Sequence, residues 1–287
     1  MSSRDREIYE GAIHHIWQRG NNREYIFQDD IAKIFLLKQL KEYNKKFDYN
    51  LLAYVIMDNH YHLLIQTFKD PISDVMFNIN NTSGKFIRDN LKRSGHVYQG
   101  RYNSKVVQTN EYFLWLIRYI HRNPVRAKIC SNVDDYRWSS HNFYKNGYSK
   151  TVNIDFPLSV FDNNKKNAIN LYLKFVNADG QEESAEKDFE FFSQNLSQYK
   201  GEKIYNETKF ELPVRYSLQE IIELFKLHPE ELSLLTSGSR KRSLTSTKIA
   251  FITKAMGEKY SFIEIANFLN TTQSAISKLL SIGKNNS

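Results

Sequence analysis

The sequence predicts an α+β domain followed by a small all-α domain, and three observations support this prediction. In the first half, segments with the β-branched pattern of strands alternate with segments that have the apolar spacing of helices. After residue 147 the pattern becomes looser, with asparagine and lysine clusters that indicate a helical connector. Further on, Ser217 with Glu220 and Ser261 with Glu264 fit capping boxes, which mark helix starts. We therefore divide the chain into residues 1–146, 147–212 and 213–287.

The elements of the first domain follow from these patterns. Apolar residues at Ile34, Leu37 and Leu40 predict the core-facing side of the first helix. Asn110 is the predicted cap of the helix after the last strand, and Pro124 is expected to interrupt that helix. The predicted strands cover residues 7–15, 50–67 and 104–108, and the predicted helices cover residues 30–47, 72–91 and 110–123. One more helix is predicted over residues 165–176 of the connector.

Composition restricts the partner and the compartment. The chain has 287 residues, 41% of them hydrophobic, and a formal net charge of +8, which favours a polyanionic partner such as nucleic acid or an anionic membrane surface. The sequence contains no apolar stretch of membrane-spanning length, and its first ten residues lack the apolar segment of a signal peptide. Because Cys130 is the single cysteine, an internal disulfide is excluded. We therefore expect a cytoplasmic protein without a membrane partner.

The most informative short motif is His60-Tyr61-His62, which lies in a run typical of a buried strand. Residues two apart on a strand share a face, so His60 and His62 are expected to project side by side while Tyr61 points to the opposite surface. This spacing suits two imidazoles that bind one divalent ion. Two hydrogen-bonded histidines on a half-exposed strand are the alternative, and the motif alone leaves both interpretations open.

A second motif, NEYFLWLIRYIHRNPVRA, predicts a helix with two polar side chains beside its apolar stripe. Tyr119 and Asn123 are four positions apart, so the phenol and the amide are expected to lie one turn apart on the same face. The amide oxygen would then supply a third metal ligand. The alternative is that Tyr119 is a rim aromatic and Asn123 a C-terminal cap.

Five fragments, taken in order and spacing, resemble a known family. They are HHIWQRGNNREYIF, MDNHYHLLIQ, VYQGRYNSK, LIRYIHRNPVRA and YRWSSHNFY. Together they are similar to the single-tyrosine HUH transposases of the IS200-like group, which include the REP-associated tyrosine transposases. The resemblance covers roughly the first half of the chain.

The resemblance implies a fold, a mechanism and a substrate. It implies a ferredoxin-like domain with an antiparallel sheet and flanking helices, in which Tyr119 is the nucleophile and His60, His62 and Asn123 are the metal ligands. A phenol of pKa about 10 is a poor nucleophile at neutral pH, so a polarising Mg²⁺ or Mn²⁺ ion is expected. The implied reaction cuts single-stranded DNA that carries hairpin elements, through a 5′-phosphotyrosine link. The resemblance leaves open whether the protein acts as a monomer or a homodimer.

A basic and aromatic segment follows the second predicted helix. Cations can track phosphates while aromatic rings stack on unpaired bases, which is the usual combination in single-strand grooves. A solvated basic face is the alternative for each residue taken singly. The predicted DNA contacts in this segment are Lys85, Arg88, Lys92, His96, Tyr98, Arg101 and Tyr102.

The tail contains the sequence SFIEIANFLNTTQSAISKLL, which predicts a helix, a tight turn and a second helix. Together with the basic segment SRKR, it resembles the helix-turn-helix DNA-binding domain of the replication initiator DnaA. A small helical interaction domain is the alternative. The resemblance implies duplex DNA contacts through Arg240, Lys241 and Arg242 and, on the exposed side of the second helix, through Gln273, Ser274, Ser277 and Lys278.

Two other functions remain as rivals. One is a replication initiator or relaxase with the same HUH chemistry. The other is a non-catalytic DNA-binding regulator on a vestigial HUH fold. Formation of a covalent protein–DNA adduct separates this regulator from an enzyme.

Overall fold

The computed structural model describes residues 9–178, 216–239, 241–258 and 260–285, which fall into two compact units divided after Pro213. The first unit begins with β1 (Ile13–Arg19), α1 (Asp30–Asn44), β2 (Tyr49–Ile56), β3 (His60–Thr67), α2 (Ile72–Asn90) and β4 (Asn103–Val106). The strands form one sheet in the order β2-β3-β1-β4, and each neighbouring pair is antiparallel. This βαββαβ order is that of a ferredoxin-like domain, so the predicted α+β fold is confirmed.

The single strand predicted over residues 50–67 is instead the hairpin of β2 and β3. An unbroken strand of that length would span roughly 60 Å, which exceeds the width of a small domain. The turn between the strands is closed by the amide of Met57, which donates to the carbonyl of His60 at 2.7 Å. The first strand covers Ile13–Arg19 rather than the predicted residues 7–15, because residues 13–19 are the ones that pair with β3. Residues 7 and 8 of that prediction lie outside the described residues.

Helices α1 and α2 pack together against one face of the sheet. Tyr61 belongs to this face, is fully buried and donates to the Oδ1 atom of Asn80 in α2 at 2.6 Å. Leu36 and Leu40 are buried in α1, whereas Ile34 is 54% exposed, so its predicted core position was wrong. Ile34 is two residues before Leu36 and thus about 200° away around the helix.

Helix α3 (Asn110–Arg126) packs against β2 and β3. Its cap is Thr109, whose side chain accepts from the amide of Tyr112, rather than the predicted Asn110. The helix also continues through Pro124, which was predicted to interrupt it. The amide of Ala127 donates to the carbonyl of Asn123 at 3.0 Å, so the last turn keeps its hydrogen bonding after the proline. Asn123 therefore lies in regular helix.

The buried side chains of residues 148–178 belong to the same hydrophobic core as the sheet. These residues follow α4 (His141–Asn146), whose C-terminal cap is Gly147, and form α5 (Asp155–Ser159) and α6 (Lys165–Asn177). Arg118 of α3 donates to the carbonyls of Phe175 at 3.3 Å and Ala178 at 2.6 Å, at the C-terminal end of α6. Cations at this end satisfy carbonyls that the helix leaves without partners. The boundary predicted at residue 147 therefore does not coincide with an end of the core.

A buried chain of hydrogen bonds ties α3 to α4 and α6. His121 contacts the hydroxyl of Ser140 at 2.7 Å through Nε2 and that of Tyr172 at 2.8 Å through Nδ1. The Tyr172 hydroxyl also lies 2.6 Å from Nδ1 of His141, whose Nε2 meets Asp134 at 2.8 Å. Burial, followed by the neighbouring His141, holds the pKa of His121 well below its usual value. The opposite face of α3 is thereby fixed in position.

The first unit is expected to lose stability on mild acidification. Burial lowers the pKa of His60 to about 4 and that of His121 well below 6.5, so the folded state binds fewer protons than the unfolded state. This stability is complete above pH 6.5 and falls, by up to about 1.4 kcal/mol per pH unit for each histidine, as the pH decreases. Denaturant titration at about pH 7.5 and about pH 5 without metal tests this. Tryptophan fluorescence is a selective probe, because all three tryptophans lie in the first unit. Equal unfolding free energies at the two pH values would contradict the expectation.

The described part of the second unit is helical. Its helices are α7 (Leu218–Glu223), α8 (Pro229–Thr236), α9 (Thr245–Gly257), α10 (Phe262–Phe268) and α11 (Gln273–Asn285). Both predicted capping boxes are confirmed, at Ser217 and Ser261. Gly238 has a φ of +78°, and a Cβ atom there would lie 2.3 Å from the carbonyl oxygen of Asn270. Only glycine therefore allows the loop after α8 to approach the turn between α10 and α11.

Candidate active site

A cavity of about 620 Å³ opens on the sheet face opposite α1 and α2, between the sheet and α3. The cavity brings together the predicted nucleophile and the three predicted metal ligands, which come from two separate motifs: Tyr119, His60, His62 and Asn123. The lining consists of His15, Trp17, Arg19, His60, His62, Lys105, Tyr112, Trp115, Tyr119, Asn123, Arg126 and Ala127.

The paired histidines project side by side from β3. Their ring centroids are 5.2 Å apart and the rings are nearly perpendicular, which allows one nitrogen of each to lie about 2 Å from a shared ion. His60 contacts the Oδ1 atom of Asn59 through Nδ1 at 2.6 Å and forms a hydrogen bond with Asn123. Burial, followed by the charge of Arg19, lowers the pKa of His60 to about 4, and burial holds that of His62 well below its usual value. Both rings are therefore neutral near pH 7, the form that binds metals.

Tyr119 lies edge-on to His62, with ring centroids 5.3 Å apart. It is half-buried, its ring stacks on Trp115 at 4.7 Å, and the guanidinium of Arg126 lies 5.0 Å from the ring centroid. These two contacts favour the observed orientation of the ring. The phenol is thus held beside the histidines by residues of its own helix.

A third histidine, which the sequence analysis did not single out, completes the group. His15 on β1 places its Nε2 atom 3.0 Å from Nδ1 of His62. Burial, followed by the charge of Lys105, lowers the pKa of His15 to about 3. Its signal in the sequence is weak, because adjacent His14 and His15 point to opposite faces of the strand.

Two spacing patterns identify the remaining cavity residues in retrospect. On β1, His15, Trp17 and Arg19 are two residues apart and therefore share a face. On α3, three- and four-residue spacings align one side of the helix toward the cavity. The α3 residues on that side are Tyr112, Trp115, Tyr119, Asn123 and Arg126. The walls around the paired histidines thus contain both aromatic rings and cations.

The predicted DNA contacts after the second helix lie elsewhere. None of the seven lines the cavity, and Lys85, Arg88, Lys92, His96 and Arg101 are exposed. Tyr102 is part of the hydrophobic core, and the half-buried Tyr98 has an enclosed hydroxyl and a ring that packs against Gly84. The DNA contacts predicted for this segment stay predictions, and the burial of these two side chains argues against base stacking by them. The segment does reach the site's edge, where the amide of Gln99 donates to the carbonyl of Arg19 at 2.9 Å.

The donor set of the cavity is compatible with a divalent cation. Two neutral imidazoles and one amide leave coordination positions open for water or phosphate oxygens, as a catalytic rather than a closed structural site requires. Across the described part of the chain, no cluster of three or more histidine, cysteine, aspartate or glutamate side chains could hold a metal. The ligands available here are therefore His60, His62 and the Asn123 amide.

The predicted helix-turn-helix side chains of the tail are exposed where the structure describes them. Gln273, Ser274, Ser277 and Lys278 lie on the solvent side of α11, while Ile276 is buried with Ile265 of α10. Lys241 and Arg242 are exposed beside the start of α9. Arg240 lies outside the described residues.

A ferredoxin-like sheet whose paired histidines face a helix-borne tyrosine is the arrangement that the resemblance to the single-tyrosine transposases implies. Residues 7–123 match the model of the family described as "Transposase IS200 like". Over these residues the chain is similar to the IS200-like transposases, a family of enzymes that cut and rejoin DNA.

Among solved structures, the chain is similar to one described as a REP-associated tyrosine transposase bound to a REP hairpin. The two share 18% identity with a TM-score of 0.44, over 53% of this chain and 90% of that one. It is also similar to a putative transposase from Deinococcus radiodurans R1, with 20% identity and a TM-score of 0.31, over 42% of this chain and 97% of the other. A search of curated proteins gave no match.

No helix in the described ranges has the length and apolarity that crossing a bilayer requires.

Proposed function

We propose that the protein is a metal-dependent transesterase that cuts and rejoins single-stranded, hairpin-bearing DNA through a 5′-phosphotyrosine at Tyr119. One observation carries the proposal, the convergence of the nucleophile and the ligand set in one cavity. The ring of Tyr119 lies 5.3 Å from that of His62, and Asn123 forms a hydrogen bond with His60.

The proposed step exchanges one phosphodiester for another. The phenolic oxygen of Tyr119 attacks the phosphorus atom, the bond between phosphorus and the 3′ oxygen breaks, and the leaving strand takes up a proton as a 3′-hydroxyl. The phenol proton passes to solvent. Attack by a new 3′-hydroxyl reverses the step and frees Tyr119, so strand transfer needs no ATP.

His60, His62 and Asn123 would hold Mg²⁺ or Mn²⁺. Such an ion neutralises charge that develops on the scissile phosphate, which offsets the weak nucleophilicity of a phenol. Arg19, Lys105 and Arg126 line the same cavity and add positive charge where the DNA backbone enters. Positioning and electrostatic stabilisation together supply the catalytic effect in this proposal.

The cavity favours a single strand over duplex. Trp17 is half-buried in its wall between Arg19 and His15 on the same strand face, so an unpaired base has a ring to stack on and a cation for its phosphate. The hairpin beside the cut strand is included in the proposal because the sequence motifs resemble those of the REP-associated tyrosine transposases.

One chain carries every group in this proposal. Tyr119 lies next to the histidines of its own chain, so a monomer would be able to complete the reaction in cis. A homodimer with exchanged tyrosine helices is the alternative. Mixing Tyr119→Phe protein with His62→Ala protein distinguishes them, because only exchange between chains would restore activity.

The direct test is covalent capture. Labelled single strands with a hairpin, matched strands without it and the corresponding duplex are incubated with Mg²⁺ and resolved on a denaturing gel. A protein-sized labelled band from the hairpin strand, with a free 3′-hydroxyl on the released fragment, is expected. Binding without any adduct would favour the non-catalytic regulator, and efficient capture of hairpin-free strands would favour an initiator or relaxase.

For the second unit we propose a duplex-reading role. The exposed side of α11, with Gln273, Ser274, Ser277 and Lys278, has the composition of a recognition helix, and the basic segment before α9 supplies cations for DNA phosphates. This role is separate from the chemistry, since every proposed catalytic group lies in the first unit.

Deleting residues 214–287 is expected to spare cleavage of short single strands and to weaken binding of DNA that carries duplex next to the hairpin. The slope of log affinity against log salt should become shallower by about 1 for each DNA phosphate that the second unit neutralises in the intact protein. Both substrates are titrated across a salt series with full-length and truncated protein. If affinities and slopes on the duplex-bearing DNA are equal, the second unit is an interaction domain instead.

A further inference from the structure

We infer that His15 is a positioning residue that fixes His62 in the one tautomer able to bind a metal ion. This inference rests on the proposed function, since it concerns the same site. It assigns a role to a residue that lies outside both sequence motifs of that site.

The placement of His15 follows from the pairing of β1 with β3. Trp17 lies directly opposite His62, so His15, two residues earlier, shares the same sheet face. Its Nε2 atom is 3.0 Å from Nδ1 of His62, and the two rings are stacked with an interplanar angle of 18°. Both side chains are only 6% exposed, so water has little access to compete for this hydrogen bond.

The hydrogen bond has two forms, and only one is compatible with metal binding. A neutral imidazole carries one N–H, so one ring donates and the other accepts. If Nδ1–H of His62 donates to His15, then Nε2 of His62 keeps its lone pair for a ligand bond. If His15 donates, His62 carries its proton on Nε2 and has no lone pair left. The inferred role of His15 is therefore that of the acceptor.

His60 has a matching arrangement, which supports this assignment. Its Nδ1 atom lies 2.6 Å from Oδ1 of Asn59, an atom that only accepts, so His60 also carries its proton on Nδ1. Each paired histidine thus has an uncharged acceptor behind it. Ligand histidines usually donate their second N–H to such a partner, often a carboxylate. An uncharged partner orients the ring without adding negative charge near the DNA phosphate.

Two substitutions at His15 distinguish the effect of its hydrogen-bond acceptor from the effect of its size. His15→Gln keeps an acceptor oxygen at similar reach, whereas His15→Phe keeps a flat ring without an acceptor. We expect Mn²⁺ affinity, measured by calorimetry, to fall about 10- to 100-fold in the Phe variant and to stay within a few-fold of wild type in the Gln variant. His228→Ala, an exposed histidine in the second unit, serves as the unaffected control.

A second measurement needs neither metal nor DNA. Long-range ¹H–¹⁵N NMR spectra of the metal-free wild-type protein report which nitrogen of His62 carries the proton, and we expect Nδ1. A proton on Nε2, or equal Mn²⁺ affinities for the two His15 variants, would overturn the inference even if the protein forms a DNA adduct. Conversely, an Nδ1 proton in a protein that forms no adduct would support the inference while the proposed function fails.

Discussion

Replacing Tyr119 with phenylalanine is expected to abolish the covalent protein–DNA adduct while hairpin affinity stays within a few-fold of wild type. The substitution removes only the attacking oxygen. The ring keeps its stacking on Trp115 and its contact with Arg126, so the cavity retains its shape. Adduct formation is measured on denaturing gels, and binding is measured on native gels with the same labelled hairpin strand.

Tyr112→Phe is the matched control for this experiment. Tyr112 lies two turns earlier on the same helix, stacks on Trp115 and lines the same cavity. Burial raises its pKa, so it is a poorer nucleophile than an ordinary tyrosine. We expect the adduct to persist in this variant. An adduct that survives in Tyr119→Phe and maps to Tyr112 or to another tyrosine would refute the assignment of the nucleophile.

Substituting alanine for His60 or His62 is expected to weaken Mn²⁺ binding and DNA cleavage together. Removing the hydrogen-bond partner of a ligand histidine typically lowers metal affinity about 10- to 100-fold. Removing the ligand itself should therefore lower metal affinity more than about 100-fold. Calorimetry with Mn²⁺ and the adduct assay with Mg²⁺ measure the two effects on the same protein preparations. Hairpin binding should persist, because the cavity cations are unchanged.

His14→Ala provides the control for these variants. His14 is a buried histidine on the neighbouring strand, but it faces the other side of the sheet, where Nε2 lies 3.3 Å from the hydroxyl of Thr67. Its removal perturbs the core without touching the proposed ligands. Unchanged Mn²⁺ affinity in folded His60→Ala and His62→Ala proteins, or an equal loss in His14→Ala, would eliminate the proposed metal site.

Local patterns were sufficient for much of the secondary structure. Capping boxes at Ser217 and Ser261 depend on side chains three residues apart, so they are visible in the sequence and recur in the structure. The β2–β3 hairpin was missed because its turn, around Met57 to Asn59, is short and lies between two apolar runs. Residue propensities do not indicate so short a turn, whereas the limited width of the domain requires one.

Elements that depend on packing were harder to predict. Ile34 fits an apolar stripe but faces solvent, because the sheet lies on the side of α1 that carries Leu36 and Leu40. Residues 147–178 have the composition of a connector, yet they fill the core beside α3 through contacts that include Arg118 with α6. The spacing of apolar residues predicts the apolar side of a helix, but it does not show which element packs against that side.

The sequence by itself determined the order of the sheet domain and the helical tail, and it named His60, His62, Tyr119 and Asn123 as one group. Strand alternation and helical periodicity act over a few residues and pair His60 with His62 and Tyr119 with Asn123, and the family resemblance joins the two pairs. Only the tertiary structure placed His15 behind His62, at a separation of 47 residues along the chain. The pairing register of β1 with β3 decides that contact, and register depends on which faces the whole domain buries.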